Sequence, residues 1–253
     1  MPTLSTIRDA GETDIEALLK QLDERHKEIL RSAVRKYGVQ NIPDSIWTEI
    51  QNNIEEETAA AILLLLIAAD DLTTGQIAAG GIPRRNISQQ QVAMYSILSA
   101  QQASAMAAGT TDTLRNRLTR KVQDQALTGR GALGNVTPTG IEDALDEVFT
   151  DSRRETMAID TTTQAVSAGT RGAAERAGGD GGNAGIAPGM SPTIQLIWRT
   201  ERDNLVCPRC SPLEGTTEDV WGLVFPEGPG PDCHPNCRCE LEVRVVPLTI
   251  SER

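Results

Sequence analysis

The sequence of 253 residues is poor in aromatic side chains and lacks cysteine over most of its length. Trp, Tyr and Phe together make up only 3% of the chain, which argues against one large, aromatic-rich core. The first cysteine is Cys207, so the chain is not a small disulfide-linked scaffold, in which cysteines are spread densely. Basic residues are also scarce, since 24 Lys and Arg stand against 35 Asp and Glu, with a net charge of −11. This balance excludes a basic protein that coats nucleic acid.

A long apolar run and a signal sequence are absent too. The longest uninterrupted apolar run covers residues 59–69 and has acidic residues on both sides, whereas a membrane-spanning helix needs about 18–20 apolar residues. Residues 1–14 contain neither the basic nor the apolar segment of a secretory signal. We therefore expect no membrane contact, and a reducing cytosol in which clustered cysteines bind metal more often than they form disulfides.

Composition divides the chain into three parts. Residues 1–168 are rich in Ala, Gln and Thr and have apolar residues at three- and four-residue spacing, which predicts a domain of long antiparallel helices that contacts other proteins. Glycine is concentrated in the next part, which predicts a flexible linker or loop at residues 169–190. Residues 191–253 contain β-branched residues, prolines and all five cysteines. The predicted fold class is α+β, with a helical domain followed by a small β-rich C-terminal module that zinc stabilises.

Start and stop signals place six helices in the first part of the chain. Thr13 and Glu16 fit a capping box at the start of the first helix, and Asp112 fits an N-cap of the fourth. The helices are expected at about residues 13–37, 44–69, 88–108, 112–129, 139–149 and 151–168. In the C-terminal module, alternating and β-branched patterns predict strands at about residues 193–200, 223–225 and 239–246.

The cysteines form two groups in an order typical of a metal site. Cys207 and Cys210 make a C-x2-C turn, which presents two thiolates to one tetrahedral ion. After 22 further residues, the run C-H-P-N-C-R-C at residues 233–239 supplies four more candidate ligands. His234 and Cys237 are three residues apart across a proline turn, a spacing that lets both reach one ion. Because zinc takes four ligands, at least two of the six candidates are spare.

Cys237 and Cys239 flank the start of a predicted strand and would point to opposite faces of a regular strand. One of them is therefore expected to lie away from the metal. The metal is expected to be structural, since about 60 residues with few aromatics build little core and zinc binding supplies several kcal/mol of folding free energy. The predicted ligands for zinc are drawn from Cys207, Cys210, His234, Cys237 and Cys239.

Two other uses of these cysteines stay open. The thiols can pair as disulfides after release into an oxidising medium. A catalytic cysteine would need a separate histidine partner. The only histidines are His26, on a predicted helix face, and His234, inside the cysteine run, so such a pair is not available.

The same segment resembles a known family, the phage Mu F-like minor head proteins, also described as phage head morphogenesis proteins. The resemblance covers roughly residues 150–246. In residues 154–165, which resemble the helix before the family signature, Ala158-Ile-Asp-Thr161 stands where the family usually has A-R-T-E. Cys233 stands where the family usually has proline, which implies an extra thiol and not a ligand. The signature is carried by Trp198-Arg-Thr-x-x-Asp203, Val206-Cys207-x-x-Cys210, Leu213-x-Gly215, Phe225 and His234-Pro-Asn-Cys237-Arg-Cys239.

The resemblance implies a virion component of a tailed phage. Proteins of this family are minor head proteins, present in few copies and associated with the portal or the capsid interior, and they act in head assembly and in DNA packaging or ejection. The implied partners are the portal protein, the major capsid protein and packaged DNA. The implied locations are the virion and, during assembly, the host cytoplasm. No acid, base and nucleophile stand together in the sequence, so we expect no enzymatic activity.

Two alternative functions remain. The first is a phage-head-associated nuclease or transferase, and the second is a zinc-ribbon module that binds nucleic acid. Binding to phosphates needs Lys and Arg, whereas residues 191–253 carry 6 basic and 10 acidic residues, a net charge of −4. A basic patch on the predicted fourth helix is expected to be a solvated face, and it consists of Arg115, Arg117, Arg120 and Lys121. The polar residues considered for an enzyme are Arg199, Glu201, Asp203 and His234.

Overall fold

Four long helices make up most of this computed structural model. They are α1 (Leu4–Tyr37), α2 (Asp44–Ala79), α3 (Gln89–Leu127) and α4 (Asp151–Gly178). A short helix α5 (Glu218–Trp221) and the strands β1 (Thr193–Arg199) and β2 (Glu240–Val246) follow. The predicted combination of a mostly helical chain with a small β-structure near the C-terminal end is confirmed. The structure describes residues 3–127, 143, 145–178, 193–200, 207–231 and 233–246.

The helices are longer and fewer than predicted. α1 begins nine residues before the predicted cap, and the Thr13 hydroxyl donates to the carbonyl oxygen of Asp9 at 3.0 Å, inside the helix. The predicted third and fourth helices are the single helix α3, in which Asp112 is an exposed interior residue. Gly109 does not end this helix, because a single glycine costs only about 1 kcal/mol relative to alanine. Of the predicted fifth helix, residues 145–148 are helical, and its cap lies outside the described residues.

The predicted linker at residues 169–190 is wrong for residues 169–178, which belong to α4. Its remaining residues lie outside the described part of the chain. Close packing explains the helical glycines. A Cβ at Gly169 would lie 2.5 Å from the carbonyl oxygen of Leu66, and a Cβ at Gly172 would clash with the hydroxyl of Tyr95. Composition alone does not distinguish a glycine of this kind from one that makes a chain flexible.

The chain packs into two compact units whose boundaries differ from the predicted domains. Unit 1 comprises Met1–Thr13, Ile62–Ser99 and Thr156–Arg253, and unit 2 comprises Asp14–Ala61 and Ala100–Glu155. The predicted helical domain, residues 1–168, is therefore divided between the two units. The predicted C-terminal module shares unit 1 with helical residues, because its side chains pack on them.

Unit 2 has an aliphatic core. Neighbouring turns of a helix contribute pairs of buried residues, such as Ile50 with Ile54 and Leu114 with Leu118, as helical periodicity requires. The core consists of Leu30, Ala33, Val34, Ile42, Trp47, Ile50, Ile54, Ala107, Leu114, Leu118, Leu145, Val148 and Phe149.

Unit 1 contains a buried ion pair between two of its helices. Asp70 on α2 is fully buried and accepts hydrogen bonds from Arg176 at 2.7 Å and from the hydroxyl of Tyr95 at 2.5 Å. Thr74, one turn later on α2, contacts both Asp70 and Arg176. Asp70, which follows the apolar run in the sequence, is thus an interior residue of α2. Its negative charge is paired with the positive charge of Arg176 inside the fold.

α2 also passes a length-and-composition test for a membrane-spanning helix, and it is the one helix of the described residues that does. The prediction of no membrane contact counted only the uninterrupted run at residues 59–69. Such a helix is weak evidence for a membrane, because the core helix of a water-soluble protein passes the same test. Packing accounts for part of the apolar composition, since 39% of the most apolar stretch is buried, while Leu64 is 68% exposed. The buried residues include Ile50, Ile54, Ile62, Leu66, Ala69 and Ile77.

The sheet has two antiparallel strands, β1 and β2, in a register that places Trp198 opposite Leu241. Two of the three predicted strands are therefore confirmed. The third, at residues 223–225, is wrong, because these residues form a turn after α5 in which Leu223 is 86% exposed. The amides of Val224 and Phe225 bond to the carbonyl oxygen of Trp221, so they are not available to a neighbouring strand.

Candidate metal centre

The cysteines lie in the core of the C-terminal module, next to a small aromatic group. The ring of Trp198 on β1 lies 5.9 Å from that of Trp221 and 5.8 Å from that of Phe225. Four cysteines are buried in the same core, and these are Cys210, Cys233, Cys237 and Cys239. Cysteine side chains therefore fill much of the core of this module, whereas aliphatic side chains fill the core of unit 2.

The C-x2-C segment folds as one tight turn. The amide of Cys210 donates to the carbonyl oxygen of Cys207 at 3.1 Å and lies 3.3 Å from its Sγ. An amide that points at sulfur stabilises a thiolate, since hydrogen bonds to a charged acceptor are the stronger ones. A 3-10 turn, Ser211–Leu213, follows directly. The turn thus fixes both cysteines by backbone hydrogen bonds.

The second group of candidates lies in the loop at residues 233–239, which leads into β2. Asn236 has a φ of 60° and is the one non-glycine residue with positive φ in the described ranges. Asparagine tolerates this left-handed conformation better than most residues. The Nδ1 atom of His234 lies 2.9 Å from the carbonyl oxygen of Pro235. A carbonyl only accepts, so this hydrogen bond puts the proton on Nδ1 and leaves the lone pair of Nε2 for a metal.

The turn and the loop bring their donor atoms together. The Sγ atoms of Cys207 and Cys210 and a ring nitrogen of His234 lie within 4.8 Å of one another. The Sγ atoms of Cys210, Cys237 and Cys239 do the same. Cys210 belongs to both groups, so we treat the five residues as one Cys/His cluster. Neighbouring sulfurs around a tetrahedral zinc are about 3.8 Å apart, so these side chains can hold a metal ion after small adjustments.

All five predicted ligand candidates therefore lie in the Cys/His cluster. The expectation that Cys237 and Cys239 diverge is wrong, because β2 begins only at Glu240 and the alternation of a strand does not apply before it. Cys233 belongs to neither donor group, and its Sγ lies 3.6 Å from the carbonyl oxygen of Gly228.

The thiols of the cluster differ in how readily they lose their protons. Hydrogen bonds from the thiols of Cys233 and Cys239 lower the pKa of Cys237 to about 2. The same hydrogen bonds raise the pKa of Cys233 and of Cys239, and burial raises the pKa of Cys210 to about 12. These hydrogen bonds thus favour the thiolate form of Cys237 over that of its neighbours. A bound cation is what allows the neighbouring thiols to become thiolate ligands as well.

Three residues outside the predicted ligand set hold the loop. Asp160 accepts a hydrogen bond from the amide of Asn236 at 2.7 Å, Thr163 donates to a loop carbonyl at 2.8 Å, and Arg8 donates to another at 2.7 Å. Burial raises the pKa of Asp160 to about 6. Nothing in the sequence around Arg8 marks it. For Asp160 and Thr163, the resemblance of residues 154–165 to the helix before the signature was the one available signal.

Of the residues considered for an enzyme, the structure describes Arg199 and His234. Arg199 pairs with Glu214 and Glu242 on the surface of the module. Glu201 and Asp203 lie outside the described residues. In the basic patch of unit 2, Arg115 pairs with Asp44 and Lys121 with Glu147, which fits a solvated face.

No family model matches this chain, and neither a curated protein nor a solved structure is detectably similar to it.

Proposed function

We propose that the chain is a minor head protein of a tailed phage, whose C-terminal module is folded around one zinc ion. The observation that carries the proposal is the convergence of the two halves of the signature. The C-x2-C turn and the H-P-N-C-R-C loop are separated by 23 residues, and their donor atoms meet at Cys210. The two halves of the signature thus supply donor atoms to the same site. This convergence supports the family assignment and, with it, the α+β fold.

Zinc suits this donor set. Thiolate-rich tetrahedral sites prefer zinc, and closed sites of this kind are structural, whereas catalytic zinc sites keep one position open to water. Cys210, Cys237 and Cys239 would supply three ligands, and Cys207 or His234 would supply the fourth. A bound zinc would cross-link the turn to the loop and contribute folding free energy to a module with little apolar core.

The helical surface supports a role in assembly. No residue between Arg85 and Asp112 carries a charge. Within that range Met94 is 56% exposed and Ile97 is 60% exposed. Exposed apolar side chains on an uncharged helix suit burial against another protein, and the family resemblance makes the portal protein and the major capsid protein the proposed partners. The proposed location is the portal vertex or the capsid interior, after assembly in the host cytoplasm.

Elemental analysis tests the metal part of the proposal. Protein purified under reducing conditions is expected to contain about one zinc per chain. A metal-free protein whose residues 193–246 are as resistant to protease as those of a metal-loaded sample would contradict it.

Composition of assembled heads tests the assembly part. The chain is expected to copurify with the portal protein of the same phage and to be present in mature heads at a few copies. A density map of the head would then locate it. Its absence from both the portal complex and the mature head would overturn the assignment and leave the enzyme and nucleic-acid-binding alternatives.

A further inference from the structure

Three consecutive residues of the metal-binding loop each have a backbone group held by a side chain from a helix. The amide of Asn236 donates to the carboxylate of Asp160 at 2.7 Å. The carbonyl oxygen of Cys237 accepts from the hydroxyl of Thr163 at 2.8 Å. The carbonyl oxygen of Arg238 accepts from the guanidinium of Arg8 at 2.7 Å. The sequence separations of 76, 74 and 230 residues make these contacts purely tertiary.

The helices supply these groups from the interior of unit 1. Thr163 is 1% exposed and Arg8 is 4% exposed, so water does not compete freely for the two carbonyl oxygens that they bind. Asp160 and Thr163 are three residues apart on one face of α4, and Arg8 lies in the second turn of α1. The backbone groups that they hold belong to Asn236, Cys237 and Arg238. Asn236 has the left-handed φ of 60°, and Arg238 directly precedes Cys239.

We infer that Asp160, Thr163 and Arg8 are positioning residues of the metal centre, and that metal binding is coupled to the packing of α1 and α4 on the loop. This inference rests on the proposed metal site. A ligand loop that other side chains already hold loses less freedom when the ion binds, and partners outside the ligand shell change metal affinity by about 10–100-fold. Coupling of this kind is reciprocal, so the ion that favours the ordered loop also favours the helix contacts.

Thr163 offers the cleanest test, because valine has nearly the shape of threonine and removes only the hydroxyl donor. We expect Thr163→Val to bind Zn²⁺ about 10-fold or more weakly than wild type, measured by competition with a chromophoric chelator. Thr163→Ser keeps the hydroxyl and is expected to restore most of the affinity. Asp160→Ala is expected to weaken binding in the same way, with Asp160→Asn intermediate because its amide oxygen still accepts. Glu175→Gln, an exposed position on α4, is the matched control.

The Co²⁺-substituted protein separates positioning from a general loss of stability. At saturating Co²⁺ every variant is loaded, so a residue that only stabilises the fold leaves the visible absorption of the site unchanged. We expect Thr163→Val and Asp160→Ala to shift the thiolate-to-cobalt and ligand-field bands, and Thr163→Ser and Glu175→Gln to keep the wild-type spectrum.

The outcomes distinguish a failure of the metal site from a failure of the positioning role. If wild-type protein binds neither Zn²⁺ nor Co²⁺, the proposed metal site itself fails. If wild type binds but Thr163→Val and Asp160→Ala match it in affinity and in spectrum, the site stands and the positioning role is overturned. If Thr163→Val or Asp160→Ala loses its helical circular dichroism, Asp160→Asn takes its place in this comparison, because it is expected to bind Zn²⁺ more weakly than wild type. Wild-type affinity in Asp160→Asn would then overturn the role.

Discussion

Unit 2 and the C-terminal module contrast in what fills their interiors. Unit 2 contains no cysteine, and its core is aliphatic apart from Trp47 and Phe149. The module packs five cysteines with three aromatic rings beside two short strands. Aliphatic burial contributes roughly 25 cal/mol per Å² without any bound group, whereas a thiol cluster contributes most when an ion joins its members. The two regions should therefore fail under different perturbations.

The largest expected effect comes from removing the shared ligand. Cys210 belongs to both donor groups, so Cys210→Ser should abolish metal binding and unfold the module, while unit 2 stays folded. Structural zinc contributes about 10–16 kcal/mol in small zinc-dependent domains, which exceeds what this small core can replace. Hydrogen exchange would show lost protection in residues 193–246 and retained protection in residues 44–61.

Ser211→Ala is the control for this experiment, because Ser211 is the exposed neighbour of Cys210 and is expected to change neither region. A chelator should reproduce the effect of Cys210→Ser on the wild-type protein. Loss of protection in both regions at once would show that unit 2 depends on the metal as well, and the contrast would then be wrong.

The reverse experiment weakens the aliphatic core. Ile50 is fully buried, and Ile50→Ala is expected to lower the free energy of unfolding of unit 2 by about 2–5 kcal/mol, through lost burial and the cavity left behind. Ile50→Val should cost only about 0.5–1.5 kcal/mol. Urea unfolding gives the stabilities, and zinc content should stay at the wild-type value in both variants. A drop in zinc content would contradict independent stabilisation.

Acid is expected to affect unit 2 through His26. This side chain is 1% exposed, and burial lowers its pKa from 6.5 to about 4. The unfolded chain therefore binds a proton between pH 6.5 and pH 4 that the folded chain does not, so stability is complete above pH 6.5 and falls as the pH approaches 4. The expected loss from this residue is about 3 kcal/mol.

A comparison with His26→Gln isolates that contribution, since burial raises the pKa of nearby Asp23 and gives it a pH dependence of the opposite sign. Urea unfolding between pH 4 and pH 7 should show a steeper decline for wild type than for the variant. Parallel pH profiles would mean that His26 does not titrate differently in the folded and unfolded chain.

Sequence patterns within single segments predicted the two strands and the members of the Cys/His cluster. β-Branched composition located β1 and period-two alternation located β2, and the spacing of the cysteines and His234 identified the five members of the Cys/His cluster. Pattern also placed Cys237 and Cys239 on opposite faces, and that failed because the loop ends one residue later than the alternation suggests. A strand boundary depends on which neighbour is available, and a single segment does not contain that information.

The misses have a common physical cause in packing between segments far apart in the chain. Gly169 is glycine because α2 passes close to it, and Asp70 is tolerated inside α2 because Arg176 reaches it from α4. The contact of Arg8 with the metal-binding loop joins residues 230 positions apart. Sequence periodicity describes one element at a time, so it contains no signal for such pairs.

The smallest expected effect sharpens the contrast inside the module, where one cysteine behaves like a core residue of unit 2. Cys233 is fully buried and lies outside both donor groups, although its thiol contacts Cys237 and its Sγ lies 3.6 Å from the carbonyl oxygen of Gly228. Cys233→Ala should therefore keep about one zinc per chain and cost only about 1 kcal/mol, as the loss of a small buried group does. Cys239→Ala, two residues from Cys237, should lose the metal altogether. Zinc analysis of both variants decides the matter, since loss of zinc in Cys233→Ala would make Cys233 a ligand and would mean that four sulfurs complete the site without His234.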